Sequence, residues 1–217
     1  MKFNHKIFGL SLLLLGLLVV SSGCARIYTA PDFTDIRSQH HTLAILPFDV
    51  SIDMKKLPKG MTYEMLKDME KDESYVFQSE IYAYFLRRAS QNRYTIRFQD
   101  IDETNSRLRR ANISFENLRD YTKAEIGEIL EVDAVLSGTI HLSKPMSTAA
   151  AIATSILLGW GGSTNKADVG VSIHDGMDGN LVWKYNHSYE GGLGSSSQRM
   201  VKSLMNDVSR TFPYKNY

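Results

Sequence analysis

The chain has 217 residues, 25 basic and 24 acidic side chains, 43% hydrophobic and 10% aromatic residues, and one cysteine. This is the composition of a globular protein and excludes a disordered chain, a collagen-like fibre or a disulfide scaffold. The near balance of charge leaves no basic surplus of the kind that marks a nucleic-acid binder, so no nucleic-acid partner is expected.

Residues 1–23 read as a secretory signal that is removed. Lys2 and Lys6 form a positive start, Ile7 to Val20 an apolar core, and Ser21, Ser22 and Gly23 a small-residue exit into Cys24. The apolar core is short of the roughly 20 residues that a membrane-spanning helix needs. The layout resembles a bacterial lipoprotein signal with its lipobox, although Ser21 stands where that family usually has leucine. The resemblance implies a lipid anchor of the palmitate type on Cys24, which becomes the first mature residue. Ala25 in place of an aspartate implies, by the enteric sorting rule, the periplasmic face of the outer membrane. Lys2 and Lys6 leave with the signal, so the mature chain carries 23 basic against 24 acidic residues, a net of −1. With Cys24 the sole cysteine no intramolecular disulfide can form, and the core alone must hold the fold. Residues 25–41 carry no periodic pattern and read, behind the cysteine, as a short tether. As a flexible coil it spans roughly 25 Å, which keeps the folded body near the bilayer.

Residues 42–217 read as one α/β domain. Leu43 to Leu46 form a buried strand that ends at Pro47. Residues 51–72 are polar and predict a loop running into a helix. Phe77, Ile81, Tyr84 and Phe85 give a helical stripe over 74–89, with Arg87 and Arg88 suited to its C-terminal dipole. Tyr94 to Phe98 alternates as a strand. A short amphipathic helix falls within 100–118, and Thr122 with Glu125 matches a capping box for the next helix. Strands follow at Val132 to Leu142, at Lys166 to His174 and from Leu181, the last two joined by the turn-rich Asp175 to Asn180 as an antiparallel hairpin. Met200, Leu204, Val208 and Phe212 mark a final helix from about Ser196, closed by Pro213. The order β-α-β-α-α-β-β-β-α predicts a single domain with a mixed sheet and helices packed on it.

Four of these patterns together resemble the periplasmic domain shared by CsgG-type, LpoB-type and PelC-type lipoproteins and the TolB N-terminal domain. They are LAILPF with Pro47 and Phe48, the VDAVLSGTI strand with Asp133, Ala134, Gly138 and Thr139, the DGNLVW strand, and the amphipathic last helix. The resemblance covers residues 42–212. It implies a non-enzymatic accessory or structural component of envelope export or assembly, with a homo-oligomer or an envelope protein as partner. The alternative it implies is a regulatory binding module for a peptidoglycan synthase, which needs a long tether.

No residue constellation points to catalysis, and neither a cofactor nor a metal is expected. His40 and His41 are adjacent and point to opposite sides of an extended chain. His141, His174 and His187 fall on three different strands, and the parity of His174 and His187 sends them to opposite faces. No HExxH spacing occurs. The glycine-rich run Gly191 to Ser197 lacks the lysine of a phosphate loop and reads as a turn with a serine cap. The most unusual mature segment is 146–162, uncharged throughout and lying between two strands. A helix there places Ile152, Ile156, Leu157, Leu158 and Trp160 for membrane contact, for subunit contact, or for burial inside the domain.

Overall fold

In the computed structural model, which describes residues 25–54, 57, 59–144, 166–190 and 197–216, three long antiparallel strands make the spine of one sheet. They are β5 (Ala134–Lys144), β6 (Lys166–Asp175) and β7 (Leu181–Glu190). Alternation puts their apolar side chains in cross-strand rows: Leu136 opposite Ile173 and Ile173 opposite Trp183, then Ile140 opposite Val169. A tight turn joins β6 to β7, as its composition predicts. Asp175 Oδ1 accepts from the N–H of Met177 at 2.7 Å, and Gly179 takes φ 76°, a conformation that favours glycine.

The sheet has seven strands in the order β1 (Arg26–Thr29), β7, β6, β5, β2 (Thr42–Ile45), β4 (Arg97–Phe98), with β3 (Asp49–Met54) beside β5. β2 lies parallel to the start of β5, and β3 continues parallel to its second half. Both lie on the edge of β5 away from β6, and between them the ladder is interrupted at Pro47 and Phe48. One face of the sheet is covered by α2 (Tyr63–Ala89) and α5 (Ser197–Thr211), whose Phe77, Ile81, Phe85, Leu204 and Val208 join Trp183 and Tyr185 in the main core. Among the described residues the opposite face is covered only over β2 and the start of β5. There Leu108 of α3 (Ile101–Arg110) and Ile126 and Leu130 of α4 (Lys123–Leu130) pack on Ala44, Leu46 and Val135. The capping box opens α4 as expected, with the Glu125 N–H donating to Thr122 Oγ1 at 3.2 Å.

Three segments differ from the sequence reading. Residues 26–40 are not a tether. β1 (Arg26–Thr29) pairs antiparallel with β7, α1 (Phe33–Arg37) follows, and the Phe33 ring meets Tyr214 at 5.4 Å. All four β1 residues are exposed, so no alternation betrays the strand, and its partner stands at the far end of the chain. The polar stretch 51–72 contains most of β3 and the first turns of α2, which starts at Tyr63 and runs 27 residues. Those turns bury Leu66, Glu70 and Ser74, which makes no apolar stripe. From Tyr94 to Phe98 only Arg97–Phe98 is a ladder strand (β4), while Tyr94 makes a lone bridge to Lys215. The observed order therefore gains β1, α1 and β3 over the expected one. None of the helices among the described residues is long and apolar enough to cross a membrane.

Candidate functional site: an open sheet face beside a free edge

The half of the sheet that α3 and α4 leave uncovered carries polar rows across β3, β5, β6, β7 and β1. In one row Ser51 lies opposite His141, His141 opposite Asp168, and Asp168 opposite Ser188. Ser51 Oγ and His141 Nδ1 are 2.8 Å apart, the Ser188 hydroxyl donates to Asp168, and Lys166 Nζ reaches the same carboxylate at 3.0 Å. Burial opposes ionisation of Asp168, but these donors outweigh it and hold its carboxyl below the usual range. In the next row Thr139, Gly170, Asn186 and Arg26 stand side by side. Gly170 leaves a gap there, since a Cβ would come within 2.8 Å of the Thr139 hydroxyl. Together the two rows enclose a shallow polar hollow of about 520 Å³.

Beside the hollow runs β1, the outer strand of the sheet. Ile27 and Tyr28 are each 47% exposed on it, and the strand has neither a proline nor a bulge of the kind that blunts free edges. The other flank is closed: the N–H of Ile52 in β3 donates to Glu70 Oε1 at 2.9 Å, so α2 caps that edge.

His40, buried, ties the two ends of the described chain together. Its Nε2 lies 3.1 Å from Asp175 Oδ2 and its Nδ1 2.5 Å from the Tyr214 hydroxyl. A carboxylate can only accept, so Nε2 carries the proton and Nδ1 accepts from Tyr214. Burial pushes the Tyr214 phenol well above its ordinary range. The clasp borders a cleft of about 570 Å³ whose rim includes Glu128 and Asp133. Its members are saturated by one another, which is the arrangement of a structural joint.

The strand histidines separate as their parity predicts. His187 lies opposite Val169 on the helix-covered side, its ring 4.4 Å from Tyr189, whereas His174 lies opposite Val135 on the other face. Among the described residues no group of three or more His, Cys, Asp or Glu side chains is placed to hold a metal. Cys24, the residues Ile152, Ile156, Leu157, Leu158 and Trp160, and the run 191–196 lie outside the described residues.

Burial, aided by the nearby Lys123 and Lys184 ammonium groups, pulls the His174 imidazole down from 6.5 to about 4. The folded protein thus keeps His174 neutral where the unfolded chain protonates it. Its contribution to stability is complete above pH 6.5 and fades as pH falls toward 4. Chemical denaturation at pH 7 and pH 5 should show a lower midpoint at pH 5, and His174→Gln should shrink that difference. An equal loss in both proteins would assign the pH dependence to other groups.

Neither a protein-family model nor a curated protein matches the sequence. Among solved structures the chain is similar to lipoprotein GNA1162 from Neisseria meningitidis, at 13% identity over 79% of this chain and 97% of that one, with a TM-score of 0.43. It is similar to the PelC dodecamer from Paraburkholderia phytofirmans at 14% identity, covering 86% and 95% with a TM-score of 0.39. It is also similar to the LpoB C-terminal domain from Salmonella enterica at 9% identity, covering 73% and 95% with a TM-score of 0.37. PelC-type and LpoB-type lipoproteins are among those whose motifs the sequence resembles. At such identities and TM-scores the likeness carries nothing about what the chain does.

Proposed function

We propose that this protein is a non-enzymatic lipoprotein of the cell envelope, acylated at Cys24 and held on the periplasmic face of the outer membrane. There it assists export or assembly of an envelope component, as a homo-oligomer or with an envelope protein partner. One observation carries this reading: a signal-like leader ends at Cys24, and β1 begins only two residues later. An acyl chain on Cys24 would hold the open end of the sheet within about 7 Å of the headgroups. The free β1 edge and the uncharged 146–162 segment, with Ile152, Ile156, Leu157, Leu158 and Trp160, are the surfaces for lipid or subunit contact. A regulatory module that reaches across the wall fits less well, because residues 26–40 are folded into the body and leave no long tether.

Cells producing the full chain should incorporate labelled palmitate into it and carry it in the outer-membrane fraction. Cys24→Ser should lose the label entirely. Label retained in that variant would remove the anchor and the location with it. The oligomer has its own measurement, the mass of the purified acylated chain in detergent. A strict monomer there would leave an envelope partner as the reading.

A further inference from the structure

The open face holds a second cluster, apart from the hollow at Gly170. Ser137, Ser172 and Lys184 stand in one cross-strand row, and His174 lies in the adjoining row on the same face. Lys123, the first residue of α4, shares a small cavity of about 240 Å³ with Ser137, Arg119 and Asp49, beside the row but not lined by Ser172, Lys184 or His174. Both lysine ammonium groups are close enough to act on the His174 ring.

What stands out is missing compensation. Burial depresses the Lys123 ammonium. Neither Lys123 nor Lys184 makes an ion pair among the described residues, and the buried His174 Nδ1 has no hydrogen-bond partner. The neighbouring acids are engaged elsewhere: Asp49 with Arg119, Asp168 with Lys166, Asp175 with His40. A lysine can lead its ammonium out to water along its own stem, which would explain one of the pair alone. It does not explain two lysines without ion pairs near an imidazole whose buried nitrogen is orphaned, since buried polar groups are normally paired.

We propose that Lys123, Lys184 and His174, with the hydroxyls of Ser137 and Ser172, form a binding site for a phosphate monoester. Such a group carries a charge of about −1.5 to −2 at pH 7 and three strong acceptor oxygens. It would neutralise both lysines, accept from the imidazole N–H and take the serine hydroxyls. A single carboxylate brings one charge and would leave one lysine uncompensated. The monoester can be free in the periplasm or the headgroup of a lipid. The site itself stands on these residues alone, and only the lipid source rests on the anchor at Cys24.

The test uses the full chain in zwitterionic detergent at pH 7 and constant ionic strength, with the His174 imidazole followed by NMR. Inorganic phosphate should shift its resonances saturably and raise its pKa, while acetate should not. Lys184→Gln and Lys123→Gln should each weaken the effect about tenfold, the value of one charge-assisted hydrogen bond. Lys184→Gln sits on a strand face open to water, so it carries the test if Lys123→Gln fails to fold. Phosphatidylcholine vesicles doped with phosphatidic acid distinguish the sources. A matching His174 shift there assigns a lipid headgroup, and a shift with free phosphate alone assigns a soluble ester. An unshifted His174, an equal response to acetate, or a response undiminished in the lysine variants would overturn the site.

Discussion

Gly138→Ala should destabilise the protein by about 3 kcal/mol, at the upper end of what overpacking a core costs. A Cβ at Gly138 would lie 1.9 Å from Cε1 of Phe48 and 2.5 Å from its Cζ. Phe48 is fully buried, and its ring is rigid, so it cannot fold aside as a long aliphatic chain would. Movement would have to come from the step between β2 and β3, where Pro47 restricts the backbone. Alanine's better fit to a strand and lower unfolded-state entropy return under ~1 kcal/mol, too little to reverse the sign. For a domain of this size the melting temperature should fall by roughly 9 °C. Gly170→Ala is the matched control on the next strand: its nearest neighbour is a Thr139 hydroxyl at 2.8 Å, which can rotate. If both variants melt alike, the clash at Phe48 is not what demands glycine at 138.

Glu70→Ala should cost about 3 kcal/mol by a different route, the exposure of an unpaired backbone donor. Glu70 is only 3% exposed, yet it sits on α2 facing the flank of β3. One oxygen accepts from the Ile52 N–H at 2.9 Å and the other from Lys67 Nζ at 2.6 Å. Lys67 is largely in solvent, so that ion pair adds little. The Ile52 N–H has no water to fall back on, and truncation orphans it. Glu70→Gln keeps an acceptor oxygen and should lose under ~1 kcal/mol. Denaturant titration of the two variants separates the readings: equal losses would place the stability in the ion pair instead. Glu70→Ala should also aggregate on warming, because it uncaps a second edge of the sheet.

Both positions show what the sequence displays and what it hides. Phe48 and Gly138 appear as two separate motifs, and periodicity cannot say that they touch. The spine of the sheet and α5 were readable, because each buries one face and alternates at period two or near four. The first half of α2 was not, since it turns Glu70 and Gln78 toward the backbone of β3 and β2. Gln78 Nε2, for instance, donates to the Ile45 carbonyl at 2.7 Å. A stretch of helix that buries a single leucine, Leu66, and otherwise satisfies backbone groups has the composition of a loop. β1 failed for the opposite reason: lying at an edge, it buries nothing that could leave a pattern. The parity of His174 foretold its face, but not the two lysines beside it. Lys123 arrives from a helix and Lys184 from the next strand, and only strand register and packing unite them.

The folding-in of residues 26–40 has a mechanical side. Were Cys24 fixed in a bilayer as proposed, any pull between membrane and body would pass first through the four rungs that β1 makes with β7. Those rungs are short and lie at the rim, so they would peel before the long ladders of the spine. Release would next meet Phe33, buried against Tyr214, and last the His40 clasp, where Asp175 and Tyr214 grip the chain from both sides. The stretch paid out between Arg26 and His40 would measure roughly 50 Å when extended. Anchored this way, the protein would carry its own reserve of reach, stowed as a strand and a helix until load draws it out.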